Sequence, residues 1–417
     1  MVVPVPTTIE GAREMEVVEV REYREDRDRA AVEEVERECE VGSSGGGSGG
    51  GESKMCLFTD LLGDPLCRIR NSPAYLMLVA ETATGGGGGN GREIIGLIRG
   101  CVKTVVSGGS VQAGKDPIYS KVAYILGLRV SPRYRRKGVG KKLVGRMEEW
   151  FRQSGAEYSY MATEQDNEAS VRLFTGRCGY SKFRTPSVLV HPVFGHALQP
   201  SRNAAIRKLE PREAELLYRW HFAAVEFFPA DIDAVLSKEL SLGTFLAVPA
   251  GTRWESVEAF MDAPPASWAV MSVWNCMDAF RLEVRGAPRL MRAAAVATRL
   301  VDRAAPWLKI PSIPNLFAPF GLYFLYGVGG AGPASPRLVR ALCRHAHNMA
   351  RKGGCGVVAT EVSACEPVRA GVPHWARLGA EDLWCIKRLA DGYNHGPLGD
   401  WTKAPPGRSI FVDPREF

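Results

Sequence analysis

Leu128-Arg129-Val130-Ser131-Pro132-Arg133-Tyr134-Arg135-Arg136-Lys137-Gly138-Val139-Gly140 is the stretch on which the reading of the chain turns. An apolar strand, Val122 to Val130, runs into a basic loop that opens on a helix. That helix is written in Gly138 to Gln153, where Val139, Leu143, Met147, Trp150 and Phe151 fall on one apolar stripe. Gly138 and Gly140 at its start let a ligand come close to the backbone. The first N–H groups of a helix are free and stand at the positive end of its dipole, so a pyrophosphate fits there with little help from side chains. Arg129 to Lys142 holds seven Lys and Arg and no acid, which raises the local concentration of a polyanion. The net charge of the whole chain is also +7, so the basic excess is concentrated in this segment.

The rest of the composition is that of an ordinary folded protein. A length of 417 residues suggests two or three domains. Apolar residues at 45% and charged residues at 24% exclude a disordered chain, a collagen-like fibre and a bare coiled coil. The ten cysteines are scattered, with no Cys-x-x-Cys pair, and Met1 to Glu10 lacks the basic-then-apolar pattern of a secretory signal. The expectation is a cytoplasmic or nuclear protein with reduced thiols, not a secreted one. The uncharged run Ile310 to Pro336 is long enough to raise a membrane question, but its prolines and glycines make it a buried strand between loops. No membrane partner is expected.

Along the chain, residues 1–15 read as a leader, Glu16 to Tyr23 as a strand and Arg27 to Val41 as a helix, in a segment rich in acids. Gly42 to Gly51 is Gly and Ser only, an insert that buries nothing. Three apolar runs, Tyr75–Ala80, Ile94–Cys101 and Val122–Val130, are joined through Gly85–Gly91 and Ser107–Ser110, which predicts an antiparallel meander. Those glycines are hairpin tips rather than phosphate loops, because no helix follows them. Glu157 to Glu164 reads as a strand, Asn167 to Cys178 as a helix with Asp166 as its cap, and Phe183 to Val190 as a last strand. A repeat is also visible. Ala162-Thr163-Glu164 matches Ala359-Thr360-Glu361, Gly155 matches Gly354, and Leu338, Leu342, Ala346 and Met349 repeat the helical stripe. The resulting division is a first domain over 16–195, a second over 204–392, and a C-terminal tail over 393–417.

The loop resembles the acetyl-CoA signature of the GNAT acetyltransferase superfamily, Arg/Gln-x-x-Gly-x-Gly/Ala, with Arg135, Gly138 and Gly140 in the signature positions. Asn167-Glu168-Ala169-Ser170-Val171-Arg172-Leu173-Phe174, followed by Cys178-Gly179-Tyr180, is similar to the second motif of that family. The resemblance covers about Glu16 to Val193, and the chain as a whole resembles the Hookless-type plant N-acetyltransferases. It implies an α/β (α+β) fold, a mixed and mostly antiparallel sheet flanked by helices, duplicated with a degenerate second copy. It implies acetyl-CoA as cosubstrate, held by Leu128, Val130, Arg135, Arg136, Lys137, Gly138, Val139, Gly140 and Asn167. It further implies direct transfer of the acetyl group to an amine on a protein or a small molecule, with no acyl-enzyme and no metal.

Such a reaction must deprotonate its acceptor. A lysine amine titrates near ~10.4, so only about one in a thousand is nucleophilic at neutral pH. A base has to take the proton, and the thioester oxygen needs a fixed donor. Glu164, at the end of its strand, is the candidate base; the alternative is a solvated strand-end carboxylate. Val122 to Val130 has no carboxylate, which leaves Tyr124 as a relay or a cross-strand aromatic. Asn167 is a cofactor contact, a helix cap, or both. Phe174 stands where relatives often carry a tyrosine that protonates the leaving thiolate, and Phe has no proton to give; Tyr180 is the nearby candidate, in a position that this motif more often uses for packing. Cys343, His345, His347 and His374 do not share one face and make no metal site. The second copy lacks the two glycines at its helix start, Ala334 to Val339, and no basic residue accompanies the earlier Gly329, Gly330 and Gly332, so acetyl-CoA is not expected to be held there in the same way. Two other readings remain: an acetyl-CoA-binding regulator or scaffold without turnover, and a nucleic-acid binder using Arg129–Lys142. Against the second, Tyr134 is the only aromatic in that cluster.

Overall fold

The computed structural model describes residues 17–39, 55–83, 91–107, 117–390 and 400–417. The expected leader, the Gly/Ser insert, the greater part of both glycine-rich tips and residues 393–399 lie outside them. In the first half of the chain the elements are β1 (Glu19–Glu22), α1 (Glu25–Glu38), β2 (Cys56–Asp60), β3 (Ala74–Ala83), β4 (Arg92–Val106), β5 (Tyr119–Val130), α2 (Val139–Gln153), β6 (Tyr158–Glu164), α3 (Glu168–Arg177), β7 (Ser181–Arg184) and β8 (Ser187–Pro192). The second half adds β9 (Ala204–Leu209), α4 (Pro211–Phe222), α5 (Ile232–Leu236), β10 (Ser241–Pro249), α6 (Val257–Asp262), β11 (Trp268–Asn275), β12 (Arg281–Arg285), α7 (Arg289–Ala304), β13 (Leu322–Ala331), α8 (Ser335–Gly353), β14 (Val357–Val362) and β15 (Ala380–Arg388). The expected single strand Phe183–Val190 is two strands. Thr185-Pro186 interrupts it, and Pro186 has no N–H to give to a ladder.

Among the described residues thirteen strands form one sheet, ordered β1-β3-β4-β5-β6-β15-β8-β14-β13-β11-β10-β9, with β7 on β15. The meander β3-β4-β5 is antiparallel, as its Gly-punctuated pattern predicts. Two neighbouring pairs are parallel, β5–β6 and β13–β14. Each is a strand, a helix and a returning strand, so the sheet contains the same unit twice. The glycines mark the copies as well. Gly127 and Gly327 have φ of +62° and +56° just beyond the end of each parallel pairing, and Gly155 and Gly354 have φ of +76° and +80° where α2 and α8 stop. Only glycine takes these conformations cheaply. The structural register corrects one sequence match. Tyr124 pairs with Tyr160 and Phe324 with Ala359, so Ala359 corresponds to Tyr160 and not to Ala162. The slip is two residues, one full strand period, which leaves the buried face unchanged and so cannot be detected from hydrophobicity.

The halves exchange strands. β15 pairs with β6 from Asp382↔Glu164 to Arg388↔Tyr158, and β8 pairs with β14 from Ser187↔Val362 to Pro192↔Val357. The division near 196–203 therefore separates two stretches of chain but not two sheets. A second correction concerns the C-terminus. Trp401, Phe411 and Val412 are buried, Phe417 stacks on Phe324 at 4.0 Å, and Trp401 Nε1 donates to Glu226 at 2.6 Å. Trp401 and residues 411–416 are buried, so this end of the chain packs into the core and is not a tail.

The two faces of the first sheet carry different chemistry. Ile125, Met161, Leu383 and Cys385 face α2 and α3; Tyr124, Tyr160 and Trp384 face the other core. α2 lies close because β4 has glycines beneath it: a Cβ on Gly100 would stand 2.6 Å from Met147 Sδ and 2.7 Å from the Phe151 ring. Val139, Leu143, Met147 and Phe151 are buried as the stripe predicts, each worth about 1.5–3 kcal/mol.

Candidate active site

β5 and β6 are bonded only from Val122↔Tyr158 to Ile125↔Met161 and then part. Beyond that point β5 pairs with β4 alone and β6 with β15 alone. The divergence leaves a wedge between two strands of one sheet, with backbone edges that no strand bonds among the described residues. Gly127 causes part of it. β4 and β5 shift register between Leu97↔Arg129 and Arg99↔Leu126, a bulge in β5 that holds Gly127 in the left-handed region. The extra residue turns the following side chains over. Leu126 belongs to the core with Tyr124, whereas Leu128 and Val130 pack on the α2 side, and Arg129 turns away to Glu36 at 3.4 Å. Six of the seven basic residues of the segment are exposed; Arg129 is the one spent inside.

The start of α2 stands at the mouth of the wedge. Gly138 has φ +86° and a Cβ there would meet nothing within 4 Å, so this glycine supplies a conformation and leaves open space in front of the helix. Gly140 does something else: its Cβ would lie 3.2 Å from Leu173 on α3 and near Val130 and Leu128, so it permits close packing of α2 against α3. Arg136 is also left-handed, φ +64°, a conformation that costs a non-glycine residue about 1–2 kcal/mol. The first backbone bond of the helix is Lys142 N–H to Gly138 O at 3.1 Å, and its first turn has no acid. The amides of Val139, Gly140 and Lys141 therefore precede any intrahelical acceptor, the arrangement that holds phosphate. Arg135 folds back, Nε to Val130 O at 3.2 Å, and Lys137 lies over the Tyr134 ring at 4.6 Å, while Arg133 and Arg136 are exposed beside the amides.

The face of the wedge away from α2 is aromatic and acidic. Tyr124 and Tyr160 lie 4.7 Å apart by ring centroid, and Tyr160 and Trp384 stack at 5.5 Å. The Tyr160 hydroxyl donates to the Glu416 carboxylate at 2.6 Å, which Lys103 also holds at 2.8 Å. Burial and the Glu416 charge push the Tyr160 phenol up, and burial with the same carboxylate does so for Tyr124. Tyr124 is thus on the wedge as a neutral aromatic. Glu164 ends β6 directly opposite Asp382 of β15. Burial, reinforced by the Glu164 carboxylate and then Glu381, pushes Asp382 up to about 7. Glu361, two strands away, accepts from Trp384 Nε1 at 2.9 Å, and burial and Asp382 hold it well above the carboxylate range.

Sequence reasoning reached Glu164 and Tyr124 but missed Asp382, Gly127 and Glu416. Asp382 lies more than two hundred residues from Glu164, and only the strand exchange makes them neighbours. Gly127 carried a signal, a lone glycine inside a strand pattern, which marks a bulge. Two expectations move. The cap of α3 is Asn167, whose Oδ1 accepts from Ser170 N–H at 3.2 Å, and not Asp166. Tyr180 is buried on the α2 side, its hydroxyl 2.8 Å from Ser159 Oγ and its ring edge-on to Phe174 at 5.1 Å; it does not meet Tyr124 or Glu164. In the second copy the helix start is covered. A Cβ on Gly371 would stand 2.3 Å from Pro336 O, and a Cβ on Gly327 would stand 2.4 Å from the Tyr218 hydroxyl oxygen. Among the described residues no three His, Cys, Asp or Glu side chains group as metal ligands, and no helix is long and apolar enough to cross a membrane.

Residues 66–180 match the family described as Acetyltransferase (GNAT) family. Two Arabidopsis thaliana proteins, "Probable N-acetyltransferase HLS1" and "Probable N-acetyltransferase HLS1-like", are 59% and 58% identical, over 95% and 96% of this chain and 99% of each relative. "Acetyl transferase GW6a" of Oryza sativa subsp. japonica is 43% identical over 96% of this chain and 98% of its own. Among solved structures, Saccharomyces cerevisiae N-myristoyltransferase with bound myristoyl-CoA aligns with 93% of this chain and 80% of its own at a TM-score of 0.50 and 8% identity, a likeness of fold alone. With the glycine-opened helix start, the parted parallel strands and relatives this similar over nearly their whole length, the chain belongs to the GNAT acetyltransferase family, in its Hookless-type branch.

Proposed function

We propose that the protein transfers the acetyl group of acetyl-CoA directly to an amine, with Asp382 as the proton acceptor and Glu164 as its cross-strand companion. The observation that carries this reading is the Glu164–Asp382 pair on the open side of a wedge whose other side begins at the free amides of α2. The pyrophosphate of the donor lies on the amides of Val139, Gly140 and Lys141 with Arg136 and Lys137 beside it, and the acyl arm runs between β5 and β6. The amine nitrogen attacks the thioester carbon as its proton passes to the Asp382 carboxylate. The N–C bond forms, the C–S bond breaks, and the thiolate leaves to take a proton from solvent. The unbonded β5 edge past Ile125 supplies the N–H donors for the carbonyl oxygen. The carboxylates of Glu164 and Asp382 on this side favour a cationic amine, of a lysine side chain or a small polyamine.

Two results test the site. Gly138→Trp finds open space, so its fold cost is the left-handed backbone alone, about 1 kcal/mol. It places an indole where the pyrophosphate docks. Calorimetry should register acetyl-CoA binding to the parent protein and none to the variant, with melting temperatures within a few degrees; equal affinity would refute the placement. Glu164→Gln removes a negative charge that raises Asp382. A like charge disfavours ionisation, so its loss lowers the Asp382 pKa. The acid limb of the kcat/KM profile should shift to lower pH from near 7, and an unmoved limb would uncouple the two groups.

A second reading, acetyl-CoA binding without turnover, is favoured by one observation. Phe174 is buried against Tyr180, and no phenol from α3 reaches the wedge. Release of free CoA in the presence of polyamines or lysine peptides separates the two readings.

A further inference from the structure

α7 is turned the wrong way round for a helix of a closed fold. Of its sixteen residues, Ala295 and Asp302 are the two buried ones, one turn-pair apart on a single face. Asp302 is pinned there. His196 Nδ1 lies 2.6 Å from it, Gly195 N–H donates to it at 2.6 Å, and Ser312 Oγ bonds it as well. Arg299 donates to Val193 O at 2.6 Å beside it. These bonds fix the orientation of the helix, and its apolar residues face away from the body. Leu290 is 82% exposed, Leu300 61%, Val296 54% and Val301 45%.

The outward face has a spacing. Leu290, Ala293, Ala297, Leu300 and Ala304 follow one another at three, four, three and four residues. That is the seam of a heptad, the repeat by which one helix packs along another. If Leu290 starts the repeat, Ala295 and Asp302 fall at the position diametrically opposite the seam, which is where the body holds the helix. Val296, Ala294 and Val301 broaden the seam at its edges. Arg289 and Arg303 flank it on one side with Arg292 behind them, all exposed. The single acid of the helix is Asp302, already spent inward. Alanines at three of the five seam positions leave room for large side chains from a partner.

We propose that α7 is a docking helix for an acidic amphipathic helix of another protein, one that presents Leu or Ile to the alanine-lined seam and Glu or Asp to Arg289, Arg292 and Arg303. Charge selects this occupant. A second copy of α7 laid antiparallel would set Arg289 against Arg303, and laid parallel would leave both arginines facing Ala294 and Val301. Loss of the seam leaves the wedge untouched, so the inference stands independently of the transfer chemistry.

The probe is a synthetic 21-residue helix with Leu in the seam positions and Glu along both flanks, titrated into the full-length protein by fluorescence anisotropy. A twin with Lys on the flanks, phosphatidylserine vesicles and sedimentation velocity of the protein alone run beside it. The acidic peptide should bind, the Lys twin should bind at least about tenfold more weakly, and raising salt should weaken the acidic peptide further. Leu300→Asp and Ala297→Glu lie on exposed positions and should each lower its affinity about tenfold or more with CoA affinity unchanged. Equal binding of both peptides, binding that survives Leu300→Asp, vesicle capture in place of the peptide, or a dimer that Leu300→Asp dissolves would each overturn the proposal.

Discussion

Asp382→Asn is expected to lower kcat by about a hundred- to ten-thousand-fold, the usual worth of a positioned general base, while acetyl-CoA binds as before. The amide keeps the size and shape of the carboxylate and loses only the ability to take a proton. Stability supplies the control that separates chemistry from structure. Burial first, and the Glu164 charge second, raise the Asp382 pKa to about 7 in the folded protein, above the ~3.9 of an unfolded chain. The unfolded state therefore loses its proton first as pH rises. The folded state pays for the buried charge progressively from about pH 4 to pH 7 and fully above that. Asparagine never carries the charge, so at pH 8 the variant should melt no lower than the parent protein, and higher if the cost is relieved. A variant that melts lower and turns over slowly would make Asp382 a structural residue. Turnover within threefold of the parent would remove it from the reaction altogether.

This prediction rests on a residue that sequence reading did not single out, and the reason is topological. The loop Arg135–Gly140, the α2 stripe and the meander were legible because each is local. Glycine at a helix start, apolar residues at helical spacing and alternation in a strand are signals carried within about fifteen residues. Even the duplication was legible, through Gly155 and Gly354 and the repeated stripe. The acid beside Glu164 was not, because Asp382 reaches it by an exchange of strands that no local pattern encodes. The same holds for the C-terminal segment. Asp413-Pro414-Arg415-Glu416 reads as a solvated, charged end, yet all three charged side chains are buried. Burial of charge is visible only when its partners are known, and here those partners, Lys103, Asp231 and Tyr160, lie far away in the chain. Tyr180 shows the converse. Strand parity puts Ser159, its partner, on the face opposite Tyr160, so the hydroxyl misses the acidic side of the wedge.

The buried C-terminal network sets the second large expectation, Asp413→Ala. Lys103 Nζ lies 3.1 Å from Asp413 and 2.8 Å from Glu416, and Arg415 lies 2.7 Å from Asp413 and 2.6 Å from Asp231. Removing Asp413 leaves the buried Lys103 and Arg415 short of an anion, a loss of about 3–5 kcal/mol. The pH dependence has a definite sign. Burial raises the Asp413 pKa, but Arg415 and Lys103 outweigh it and hold the carboxyl far below the usual range. Its contribution is therefore complete at neutral pH and fades as pH falls below the ordinary carboxylate value near ~3.9. Urea melts should show a gap of about 3–5 kcal/mol between parent and variant at pH 7, narrowing at pH 3. The double variant Lys103→Met, Asp413→Leu removes charge from both sides and should recover part of the loss, since an uncompensated ion costs more than a missing pair. A gap that persists unchanged at pH 3 would assign the effect to packing instead. The same strap fixes the aromatic floor of the wedge. Lys103 steadies Glu416, Glu416 holds the Tyr160 hydroxyl, and Tyr160 stacks between Tyr124 and Trp384. Asp413→Ala should then lower turnover at temperatures where the variant is still folded, and the effect should come through the shape of the acceptor side, because the α2 amides proposed to take acetyl-CoA lie at the other side of the sheet.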